Sequence, residues 1–95
     1  MAWSIIKSGT VAVVNAAVNA LVETGQSTAQ NAQLVRAKAI ILAEITAVGG
    51  SNVAINCNGA MLSDGGSSLS IDVQNVPFVD SGGNYPTELG PNPLP

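Results

Sequence analysis

The chain has 95 residues, 46% of them hydrophobic and only 9% charged, with three Lys or Arg, six Asp or Glu and no His. A net charge of −3 and the scattered positions of Lys7, Arg36 and Lys38 argue against a nucleic-acid surface, because phosphate binding needs clustered cations. The single Cys57 rules out an intrachain disulfide, and the lack of His removes the usual general base and the commonest metal ligand.

Residues 4–24 read as a first helix, with Ser4 or Ser8 as its cap, an Ala/Val interior and Gly25 at the C-terminal cap position; Gly9 leaves its start open. Lys7 is the only basic side chain before the apolar run at 8–22, and Asn15 and Asn19 interrupt it. The run therefore fits neither a secretory leader nor a membrane span, and the expected context is intracellular. A second helix is expected over 27–48, opened by Ser27 or Thr28 and closed by Gly49-Gly50. With only Gly25 and Gln26 between them, the two form an antiparallel hairpin, or alternatively one kinked helix.

Ala12, Ala16 and Ala20 recur every fourth residue, as do Ala39, Ala43 and Ala47, and these two smooth ridges could face each other. The remaining surfaces are also apolar. Val11, Val14, Val18 and Leu21 line the first helix, and Leu34, Ile41, Ile45 and Val48 line the second. A domain of this length buries only roughly 65% of the surface its unfolded chain exposes, so those eight residues are the expected oligomer interface. Asn15 and Asn19, one turn apart, read first as a narrow solvent strip shared with Glu23. The sharper alternative is that they fix register across a symmetric interface.

After Gly49-Gly50 the period shortens to two. Val53, Ile55 and Cys57 alternate with Ala54, Asn56 and Asn58, and Leu69, Ile71 and Val73 alternate with Ser70, Asp72 and Gln74. Asn58-Gly59 and Asp64-Gly65-Gly66 are turn signals, giving a three-stranded meander with a short middle strand at 60–63; a single hairpin around a Gly/Ser loop at 58–68 is the alternative. Beyond Val76, five prolines and Gly82-Gly83 prevent regular structure. That segment carries Phe78, Tyr85, Leu89 and Leu94 spaced as anchors for a neighbouring surface, or else it is an ordinary loose terminus.

The fold class expected is α+β in one domain: an N-terminal helical hairpin at 4–48, a small antiparallel β-meander at 51–76 and an extended Pro/Gly-rich arm at 77–95. No catalytic, cofactor-binding or metal residues are assigned. Cys57 falls on the apolar face of a strand without a base and reads as a packing residue, and the carboxylates are scattered. Ser63-Asp64-Gly65-Gly66-Ser67 lacks the further carboxylates of a calcium loop.

The Ala/Val helical part, the segment Ser67-Ser68-Leu69-Ser70-Ile71-Asp72-Val73 and the arm Tyr85-Pro86-Thr87-Glu88-Leu89-Gly90-Pro91 together resemble small bacteriophage virion accessory proteins. The likeness is compositional and spans the whole chain. It implies a non-enzymatic structural subunit, a homo-oligomer of three or more copies located in the virion, where it decorates or cements a capsid or builds a tail or fibre. Its partners would be itself and a larger protein shell or tube, without nucleic acid. The rival readings are a membrane-active, pore-forming hairpin, opposed by Arg36, Lys38 and Glu44, and a small regulatory interaction module.

Overall fold

The structure, a computed structural model, describes residues 2–76. Its element order is β1 (Ala2–Thr10), α1 (Val11–Asn19), α2 (Thr28–Val48), β2 (Asn52–Met61) and β3 (Ser67–Asn75). The strands form one antiparallel sheet in the order β1-β2-β3, so the fold is mixed α+β. It begins with a strand and not with the expected helix. The anchors Phe78, Tyr85, Leu89 and Leu94 lie outside the described residues.

The expected helix at 4–24 divides at Thr10. Trp3, Ile5, Ile6 and Thr10 favour strand, and Gly9 is a poor helix residue. The register that recruits them runs Trp3↔Gly59, Ile5↔Cys57, Lys7↔Ile55 and Gly9↔Val53. At Thr10 the chain turns directly into α1: Thr10 is extended, its Oγ1 accepts the Val13 N–H at 3.3 Å, and the Val11 N–H donates to the Ser51 carbonyl at 3.0 Å. The cap is therefore Thr10, where the sequence offered Ser4 or Ser8.

α1 ends at Asn19, and residues 20–27 join it to α2, so the link is longer than the two residues expected. Gly25 lies in that link and not at the helix end. The Lys38 ammonium holds α1 in place by donating to the Asn19 carbonyl at 2.9 Å, supplying a cation where the helix leaves carbonyls unpaired. Both ends of α2 follow from local chemistry. Ser27 and Gln30 form a capping box, with Gln30 N–H to Ser27 Oγ at 3.2 Å and Ser27 N–H to Gln30 Oε1 at 3.1 Å, and Gly49 closes the helix in the left-handed region at φ 77°.

β2 continues straight through Asn58-Gly59, so the turn and the separate strand expected at 60–63 are replaced by one long hairpin turning at 62–66. The register with β3 is Ile55↔Val73, Cys57↔Ile71 and Gly59↔Leu69. In that turn the Gly66 N–H donates to Asp64 Oδ1 at 3.0 Å, and the Leu62 N–H reaches the Gly66 carbonyl at 3.0 Å.

Odd-numbered residues of all three strands face the two helices. The core consists of Trp3, Val14, Val18, Leu34, Ala37, Ile41, Ile45, Val53, Ile55, Cys57 and Met61. Lys7 belongs to the same row on edge strand β1 and stays exposed, an inward-facing charge that discourages another strand from joining that edge.

Candidate functional site

The eight residues expected to form the oligomer interface are inside the molecule. Val14, Val18, Leu34, Ile41 and Ile45 are buried in the core, and Val11, Leu21 and Val48 pack against it. The correction has a simple cause. β1, expected as part of the first helix, supplies a nine-residue strand beside β2 in place of the short strand expected at 60–63, and the helices close on that broader sheet with their stripes inward. The alanine ridges do not meet either: Ala12, Ala16, Ala39, Ala43 and Ala47 are all exposed on the outer side of the helical layer.

What remains outside is a different apolar set: Ile6, Val13, Val22, Val35, Ile40 and Leu62. Ile6 is 62% exposed and Val35 66% exposed, on opposite faces of the molecule. Sequence reasoning misses these residues because exposure depends on where the sheet lies, and β1 is set by pairing with β2 and not by a local pattern. The signal available was that Val35 and Ile40 fall outside the 34-41-45-48 stripe of α2.

The sheet's other face carries Ser4, Ile6 and Ser8 on β1, Ala54, Asn56 and Asn58 on β2, and Ser70 and Asp72 on β3; Ala54 at its centre is buried, Ser8 and Asn56 are half-buried and the rest are exposed. At one end of the sheet, Ala2–Ser4, Asn58–Ala60 and Ser68–Ser70 line a shallow depression of about 570 Å³, with Trp3, Gly59 and Leu69 of the helix-facing row among them. Its hydroxyls and amide can exchange hydrogen bonds with a partner.

Two buried polar arrangements shape the periphery. Gln33, 1% exposed, grips the backbone of Leu62 from both sides: its Nε2 donates to the Leu62 carbonyl at 2.9 Å, and its Oε1 accepts the Leu62 N–H at 3.1 Å. This pair fixes the 62–66 turn against α2. Asn15 is half-buried, with its Oδ1 sealed from solvent and without a hydrogen-bond partner among the described residues, whereas Asn19 contributes through its carbonyl.

Cys57 is fully buried on the helix-facing side of the central strand. Desolvation pushes its thiol above the ordinary value of 9.0; the nearby Asp72 charge raises it further, and a hydrogen bond with the Asp72 backbone opposes both. The folded protein thus keeps the proton to higher pH than the unfolded chain. Stability contributed at Cys57 is complete below pH 9 and falls as the pH climbs past it. Urea titrations at pH 7 and pH 10 are expected to show a loss that Cys57→Ala reduces. The native thiol is expected to resist alkylation at pH 8 until denaturant is added.

Among the described residues no group of three or more His, Cys, Asp or Glu could hold a metal ion, and no helix is long and apolar enough to cross a membrane. No family model matches the chain, and no curated protein or solved structure matches it.

Proposed function

We propose that the chain is a non-enzymatic structural subunit of a homo-oligomeric assembly. The observation that carries this reading is the residual apolar surface. Even after three strands cover the helices, Ile6, Val13, Val22, Val35, Ile40 and Leu62 remain exposed, and few charges separate them. Large apolar side chains on more than one face of a weakly charged surface leave room for more than one neighbouring copy. The exposed Ser4, Asn58, Ser70 and Asp72 on the sheet's other face add a hydrogen-bonding surface of the kind found at the polar margins of protein contacts.

The compositional likeness to small phage virion proteins makes the assembly a virion and the role capsid decoration, cementing, or tail or fibre construction. Phe78, Tyr85, Leu89 and Leu94 would then anchor the chain to a neighbouring shell or tube.

Light scattering of the purified full chain at 10 to 100 micromolar, chosen as roughly the range in which weak to moderate interfaces associate, is expected to give a mass that is a multiple of 9.5 kDa. A uniform 9.5 kDa particle across that range would overturn the reading. Flotation with liposomes checks the membrane-active rival, which predicts that the protein rises with the lipid.

A further inference from the structure

We infer that the free flank of α2 pairs with the same flank of a second copy, antiparallel, about a two-fold axis at Ile40. This deepens the proposal of a self-assembling subunit and rests on it.

Three directions around α2 are distinguishable. Leu34, Ala37, Ile41 and Ile45 face the sheet. Lys38 faces α1, whose last carbonyl it binds. Arg36 and Ile40 lie roughly 160° around the axis from Lys38, at 3.6 residues per turn, and so point away from α1. On that flank Ile40 is 47% exposed. Leu62, 43% exposed, belongs to the turn that Gln33 anchors to the same helix, about two turns before Ile40. Two sizeable apolar side chains therefore stand on one side of a rigid 21-residue helix with nothing from the described residues over them.

The charges on this flank identify the occupant. Arg36 and Glu44 are both exposed, and among the described residues neither has an ion pair or side-chain hydrogen bond. They stand four residues before and four residues after Ile40. Reversing the helix about Ile40 therefore brings Arg36 of each copy to Glu44 of the other, giving two attractive pairs from one operation. A parallel pair would set Arg36 against Arg36 and Glu44 against Glu44, which repel. The same reversal carries the Leu62 turn toward Ala47 of the second copy, where a small side chain leaves room for it. The contact is isologous, the same patch serving both sides. It closes a dimer and also fits as the two-fold contact inside a larger assembly of dihedral symmetry.

Sedimentation equilibrium on the full chain at about one Debye length of 10 Å, near 0.1 M salt, tests the pairing with Arg36→Glu, Glu44→Arg and the double exchange. Each single reversal converts two attractions into two repulsions and is expected to raise the dissociation constant at least about tenfold. The double exchange is expected to return it to within roughly threefold of the parent. Circular dichroism establishes that each variant folds, as expected for exposed positions. If the parent associates but the single reversals change nothing, or the double exchange fails to rescue, this surface is wrong while the self-assembling reading stands. A parent that remains monomeric overturns both.

Discussion

Replacing Ile41 with Ala is expected to destabilise the fold by about 3 to 4 kcal/mol, within the 2 to 5 kcal/mol typical of removing a large aliphatic core side chain. Ile41 is 0% exposed at the middle of α2, and it belongs to the cluster that joins both helices to the central strand. Ala has the higher helix propensity, by a few tenths of a kcal/mol, so the helix itself gains slightly. Packing outweighs that gain several-fold. Two terms act together: the transfer free energy of the lost methyls and the cavity they leave between α2 and the sheet. In a 95-residue chain with a net stability in the usual range of about 5 to 15 kcal/mol, the loss removes a large share of the total. The midpoint of urea unfolding should fall with little change in slope. Val35→Ala is the matched control, because it removes two methyls from the same helix at a 66% exposed position and is expected to shift stability by less than about 0.5 kcal/mol. Equal losses at the two positions would mean that α2 is not seated on the sheet as described.

The contrast between Ile41 and Val35 also shows what sequence periodicity delivers. The stripe Leu34, Ile41, Ile45 and Val48, expected to meet another copy, lies on the inner side of α2, and Ser27 and Gly49, two of the expected end signals, stand at its ends because such signals are local. The alternation of Val53, Ile55 and Cys57, and of Leu69, Ile71 and Val73, gave the inner sides of β2 and β3 in the same way. β1 was illegible for a physical reason. Its inward row is Trp3, Ile5, Lys7, Gly9, so the apolar alternation stops after two residues, and no breaker separates the strand from α1. What makes 2–10 a strand is its pairing with residues 42 to 58 positions later, from Thr10↔Asn52 to Ala2↔Ala60, a contact that no local window contains. The consequence reaches the surface: a sheet with a nine-residue β1 in place of a short strand at 60–63 is broad enough to hold the helical stripes that chain length alone would assign to another copy.

Gly59 shows the same competition between local signal and long-range pairing, and it yields the second large effect. Asn58-Gly59 has the composition of a tight turn, yet the pair lies inside β2 with β1 and β3 on either side. The glycine is required there because of its neighbours. A Cβ at position 59 would stand 2.5 Å from Trp3 Cζ2 and 2.7 Å from the Ser68 carbonyl oxygen, closer than Cβ atoms approach non-bonded neighbours in folded proteins. The Trp3 ring occupies the place where that side chain would be, covering a backbone that a strand glycine otherwise leaves bare. Gly59→Ala is expected to cost about 2 to 3 kcal/mol, near the top of the range for forcing an extra carbon into a packed site, even though Ala lowers the entropy of the unfolded chain by about 0.4 to 1 kcal/mol in its favour. Trp3 is the sole tryptophan, so its emission reports directly on the displaced ring, and a red shift in the folded variant is expected. The two crowding atoms separate by double mutation. Trp3→Ala removes the ring but leaves the Ser68 carbonyl, which is backbone and cannot withdraw, so the Gly59→Ala penalty should shrink in that background without vanishing. A penalty unchanged by removing the ring would place the whole clash on β3, and a negligible penalty in both backgrounds would refute the Trp3↔Gly59 register that sets β1 against β2.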